Sequence, residues 1–160
     1  HSCLRAMPNL ASAVGMSLTA MTGHKDDETK KLLKCLGEVV SIDESMWHLF
    51  TGAVGSGPAF ICRMLKNIIC NLHFKNPELD KKMLERWLIS MTKGTMAVLS
   101  EEGMSLDALE KSVTAPNGTT EAGLNVGQGE YFDMVSAILA AAERSQSIEE
   151  DICSAAHSLD

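Results

Sequence analysis

Clustered positive charge is missing from this chain. Lys and Arg supply 14 of 160 residues against 21 Asp and Glu, a formal charge of −7, and basic residues adjoin only at Lys30-Lys31 and Lys81-Lys82. Nucleic acid and anionic membrane both need a basic surface, so neither is expected as a partner. Long apolar runs are missing too. The stretch around Ala137–Ala142 falls far short of the roughly 20 residues that span a bilayer, so no transmembrane segment is expected. His1-Ser2-Cys3-Leu4-Arg5 shows neither a basic stretch nor a long apolar one, so no secretory signal is visible, although the chain begins without Met.

Metal and nucleophile motifs are also absent. The five cysteines (Cys3, Cys35, Cys62, Cys70 and Cys153) form no C-x-x-C pair, which reads as reduced thiols in a cytoplasmic setting. Cys62 and Cys70 share a helix face but stand roughly 12 Å apart along its axis, too far for a disulfide, and both are expected in the core. His24, His48, His73 and His157 have no partner at metal spacing, and no metal site is proposed. There is no G-x-S-x-G and no H-E-x-x-H, and Glu101-Glu102 reads as a solvated helix end. Gly55-Ser56-Gly57-Pro58 fails as a phosphate loop, because Phe60 stands where the third Gly belongs; a helix start packed tightly against a neighbour fits it better.

What is present is 45% hydrophobic residues, enough for a core. Leu4–Met7, Ala13–Met21 and Glu38–Ile42 read as strands, with a charged helix over Asp26–Leu36. Such a fragment leaves sheet edges open, which implies that something is missing beside it. From Asp43 onward the pattern is helical. One helix starts at Ser56 or Gly57 with Pro58 in its first turn and carries Phe60, Ile61, Met64, Leu65, Ile68, Ile69 and Leu72. A second starts at Asn76-Pro77-Glu78, carries Met83, Leu84, Trp87, Leu88, Met91 and Val98, and stops before Gly103. Ser105 caps a short helix, Thr119 to about Val126 forms another that Gly127 or Gly129 stops, and a last one runs from about Glu130 past Arg144. Helices this apolar, in a chain with 4% aromatic residues, call for a shared interface.

The most informative stretch is Ser112–Leu124. Pro116, Asn117 and Gly118 are turn residues, with Asn and Gly tolerant of positive φ; Thr119, Thr120 and Glu121 then open a helix. The residues alone leave an ordinary helix cap and a site for a carboxylate or phosphate equally open.

Four segments add a family resemblance. Val113-Thr114-Ala115-Pro116-Asn117-Gly118-Thr119-Thr120 resembles the VTSPGGTT loop of pyrroline-5-carboxylate reductases. Arg5-Ala6-Met7-Pro8-Asn9 resembles their RAMPNTP segment, Gly37-Glu38-Val39-Val40 their GEVV strand, and Gly55-Ser56-Gly57-Pro58-Ala59-Phe60 their GSGPAY helix start. The resemblance covers essentially the whole chain, but not the family's N-terminal nucleotide-binding half. It implies a mainly α fold, in which 44–160 form a helical dimerisation and substrate-binding domain. Residues 1–43 would then be the C-terminal edge of a Rossmann-like domain.

The resemblance further implies reduction of 1-pyrroline-5-carboxylate to L-proline with NADPH or NADH, in a homodimer or higher oligomer. The amides of Gly118, Thr119 and Thr120 would bind the substrate carboxylate, and Thr120 would also reach the ring nitrogen as the catalytic residue. Met7, Pro8 and Asn9 would lie at the cofactor, near the nicotinamide. Hydride chemistry belongs to the cofactor and needs no acid motif. Ala115 in place of Ser, Asn117 in place of Gly and Leu10-Ala11 in place of Thr-Pro depart from the pattern. Without the nucleotide-binding half, this chain alone is expected to be inactive. Two other readings remain: a non-catalytic helical assembly module of the same fold, and a paralogous reductase for another small carboxylate.

Overall fold

The computed structural model describes residues 3–24 and 27–126, together with Ala140, Arg144 and Ser147. The chain divides into two units, His1–Met64 and Leu65–Asp160.

The first unit is built on a three-stranded sheet of β1 (Leu4–Met7), β2 (Ser17–Gly23) and β3 (Gly37–Ser41), with β2 central. β1 runs antiparallel to β2, with Met7 opposite Ala20; β3 runs parallel to it, with Thr19 opposite Val39. A parallel neighbour needs a crossover, and α1 (Asp27–Leu33), extended by a 3-10 turn at Lys34–Leu36, supplies it. The central strand carries the burial: Ser17, Thr19, Ala20 and Met21 are all buried. The hydroxyls of Ser17 and Thr19 point to one face and hydrogen-bond each other at 3.1 Å, which removes the penalty for burying them. Gly37 begins β3 at φ 136, where an added Cβ would collide with the Ser17 carbonyl oxygen, so the close strand approach requires glycine.

The strand expected over Ala13–Met21 begins later than its composition suggests. Leu10–Val14 is a 3-10 helix that Gly15 closes in the left-handed conformation, and Ser17 is the first strand residue. Asn9 is the reason: its side-chain oxygen accepts the Ala11 amide at 3.1 Å and caps a helical turn before the strand can start.

Past β3, Asp43 caps a 3-10 turn at Glu44–Met46 through the Ser45 amide. This hydrogen bonding holds its carboxyl below the ordinary carboxylate range. α2 (Trp47–Phe50) leads through a π-helical turn at Thr51–Gly55 into α3 (Gly57–Lys75). A Cβ on Gly57 would meet nothing within 4 Å and one on Gly55 would meet Thr51 at 3.9 Å and the Met7 sulfur at 4.0 Å, so among the described residues this helix start has ordinary contacts at Gly55 only.

In the second unit the end of α3 forms a helical hairpin with α4 (Lys81–Glu101). α4 starts at Lys81 rather than at Asn76-Pro77-Glu78, because Asp80 is the cap, accepting the Met83 amide at 2.9 Å. Asn76–Leu79 instead forms the connecting turn, tied by Asn76 to the Leu72 carbonyl and by the His73 ring to the Leu79 carbonyl. Ile68, Leu72 and Leu84 form the buried cluster, with Ile69, Leu79 and Leu88 against it. Leu84 is the one buried residue in the 21 of α4, while Trp87, Ile89, Met91, Met96 and Val98 are exposed. Cys62 and Cys70, expected in the core, are exposed on α3. Both follow from one cause: these helices are apolar over a wider arc than is buried among the described residues.

α5 (Leu106–Val113) is capped by Ser105, as expected, and α6 spans Thr119–Val126. Gly127, Gly129 and the expected last helix from Glu130 lie outside the described residues, apart from the helical positions Ala140, Arg144 and Ser147.

Candidate functional site

The Thr114–Gly118 link between α5 and α6 is built from three local effects. Thr114 ends α5 by turning its hydroxyl back onto the Glu110 carbonyl at 2.7 Å. Pro116 then presets the turn, and Asn117 takes φ 56, the one positive φ outside glycine among the described residues. Proline followed by a left-handed residue is the signature of a type II turn, closed here by the Gly118 amide donating to the Ala115 carbonyl at 3.0 Å. Gly118 lies so close to that carbonyl that a Cβ on it would stand 2.9 Å from the oxygen.

The amides then divide. Gly118 spends its N–H inside the turn, and Asn117 donates its own to the Glu121 carboxylate at 2.7 Å. The first intrahelical bond runs from Ala122 to the Gly118 carbonyl. Among the described residues no hydrogen bond engages the amides of Thr119, Thr120 and Glu121, which are the orphan donors of a helix start. They stand at the positive end of α6, half-buried and in reach of solvent. Of the three amides expected to hold an anion, two are open and that of Gly118 is committed to the turn.

Arg144 was not singled out from the sequence as part of this loop. Its Nε donates to the Asn117 carbonyl at 3.0 Å across 27 positions. The advance signal was that Arg144 is the only Lys or Arg in the sequence after Lys111.

The Met7-Pro8-Asn9 segment lies in the other unit, at the carboxyl end of β1. Met7 is half-buried, with its sulfur 3.6 Å from the Thr51 hydroxyl; that hydroxyl donates to the Trp47 carbonyl at 2.8 Å. Pro8 is exposed. Asn9 donates its amide to the Ser17 hydroxyl at 3.0 Å and caps the following turn with its side-chain oxygen. This strand end thus offers apolar surface at Met7 and polar atoms at Asn9.

No group of three His, Cys, Asp or Glu among the described residues is arranged to hold a metal ion. No described helix is long and apolar enough to cross a membrane.

The family model described as "Pyrroline-5-carboxylate reductase dimerisation" matches residues 44–148. The chain belongs to the pyrroline-5-carboxylate reductase family. It is 37% identical over 159 residues to pyrroline-5-carboxylate reductase 1 of Bacillus subtilis (strain 168), covering 93% of this chain and 52% of that protein. It is 30% identical over 161 residues to that organism's pyrroline-5-carboxylate reductase 2, covering 96% and 57%. The reductase-family chain thus spans about half the length of these curated relatives. Its fold matches the crystal structure of Plasmodium falciparum pyrroline carboxylate reductase with NADP bound, at TM-score 0.71 and 21% identity over 92% of this chain and 62% of that one. The small sheet followed by a helical domain, expected from the resemblance, is therefore the fold of this family member.

Proposed function

We propose that this chain is the dimerisation and substrate-binding part of an enzyme that reduces 1-pyrroline-5-carboxylate to L-proline with NADPH or NADH. The observation that carries the reading is the pair of open amides on Thr119 and Thr120, at the start of α6 behind a turn that Gly118 makes possible, in a member of this family. Amides at a helix N-terminus suit a carboxylate, because both the donors and the helix dipole favour negative charge. Gly118 contributes the room that the turn needs, and the Thr120 hydroxyl serves the ring nitrogen. A dinucleotide, when bound, supplies hydride to the imine carbon. Met7, Pro8 and Asn9 form part of the nicotinamide rim.

The domain boundary falls at 43/44, where the family match begins, with 1–43 as the edge of a Rossmann-like domain. Leu10, Val14 and Met16, each more than 70% exposed on the first unit, fit a surface that a nucleotide-binding half would cover. The exposed apolar residues of α4 support a homodimer through the helical domain, and the exposed thiols of Cys3, Cys35, Cys62 and Cys70 suit a reducing cytoplasm.

Titration of the isotopically labelled chain with L-proline tests the reading. Saturable shifts of the Thr119 and Thr120 amide resonances are expected. An absence of shifts up to high millimolar proline would favour an assembly module, and shifts with another small carboxylate alone would favour a paralogous reductase.

A further inference from the structure

We infer that Arg144 is a positioning residue for the carboxylate site, an inference that rests on the substrate role proposed for the Thr119 and Thr120 amides. Asn117 is the left-handed residue of the turn, and the peptide planes on both sides of its Cα are held from outside. The plane before it, Pro116–Asn117, is the one that rotates when a type II turn converts to type I; its N–H is held by the Glu121 carboxylate at 2.7 Å. The plane after it, Asn117–Gly118, is held at both ends. Its N–H donates to the Ala115 carbonyl at 3.0 Å, and its carbonyl accepts from Arg144 Nε at 3.0 Å. Asn takes the left-handed conformation more readily than other residues with a side chain but less freely than Gly, so holds from outside steady a turn built on it.

Glu121 comes from the helix that the turn introduces and acts over four positions. Arg144 acts over 27 and is the one hold on the turn from outside Ala115–Val126 among the described residues. Arg144 is a half-buried residue whose bond to the carbonyl is exposed, and a guanidinium donor makes that bond charge-assisted. It also places a cation beside the positive end of α6, which favours an anion there. Arg144 thereby sets where the Thr119 and Thr120 amides point without needing to touch the substrate.

The test is hydrogen exchange of the Asn117 and Gly118 amides, read together with proline affinity, in the full chain and in Arg144→Met and Arg144→Lys. Met is expected to speed exchange of both amides about tenfold and to weaken proline binding by about as much, the scale of one charge-assisted hydrogen bond. Lys, which keeps the charge and a donor, is expected to restore most of both. Unchanged exchange in Arg144→Met overturns the inference. Faster exchange with unchanged proline affinity overturns it too, because binding would then not depend on the turn being held. If the native chain binds no proline, the proposed substrate role falls, and exchange at Asn117 and Gly118 still decides whether Arg144 holds the turn. Should Arg144→Met fail to fold, Arg144→Gln offers a polar, helix-compatible replacement too short to span the same distance, with the same expectations.

Discussion

The Arg5 guanidinium lies 4.0 Å from the centre of the Trp47 ring, joining the first strand to the first residue of α2. The same guanidinium pairs with Glu44 at 2.6 Å. Residues on both sides of the proposed 43/44 boundary are thus tied together within the first unit. Trp47 is buried, so its ring is a packing element as well as a surface for the cation.

Arg5→Ala is expected to destabilise the first unit by roughly 1 kcal/mol, since a half-exposed ion pair adds little and the cation–π contact supplies most of the effect. Trp47→Ala is expected to cost roughly 3–5 kcal/mol through the cavity it leaves. Urea unfolding followed by far-ultraviolet circular dichroism reads both variants, since Trp47→Ala removes the buried tryptophan and leaves only Trp87, 56% exposed, to emit. Equal losses for the two variants would contradict this ranking.

At the turn, Gly118→Ala and Asn117→Gly are expected to act in opposite ways. The first sets a methyl 2.9 Å from the Ala115 carbonyl oxygen and should weaken proline binding by about tenfold or more as the turn shifts. The second places the residue most tolerant of positive φ where Asn117 stands at φ 56, and binding should be retained. Isothermal titration with proline reads both. A Gly118→Ala variant with native affinity would remove the turn from the account of the site.

On α4, Trp87, Met91 and Val98 recur on one helical face around Gly94, and nothing lies within 4 Å of a Cβ placed on that glycine. A second copy packed here would cover the stripe. Met91→Asp is expected to shift sedimentation toward monomer and to cost the α4 helix stability, because most helical stability comes from packing an apolar face. A variant that sediments as the native chain does would place the interface elsewhere.

Much of the helical part of the chain was legible in advance because its signals are local. Ser105 capping α5, Gly103 in left-handed conformation after α4, Pro58 in the first turn of α3 and Asn117 at positive φ each depend on neighbours within about four positions. Where two local signals competed, the reading erred. Asn76-Pro77-Glu78 resembles a helix start, yet Asp80 caps more effectively; alternating residues near Ala13 suggest a strand, yet Asn9 and Gly15 bracket a 3-10 turn.

The sequence by itself determined the helical class of the chain, the turn at Pro116-Asn117-Gly118 and the helix that follows it. These are set by proline ring closure, tolerance of left-handed backbone and the periodicity of apolar side chains, all of which act over a few residues. Tertiary structure alone decided that Ser17 and Thr19 lie buried in a central strand between two neighbours, and that Arg144 reaches Asn117. Those outcomes depend on where the backbone brings distant groups, and no spacing along the chain encodes a contact across 27 residues.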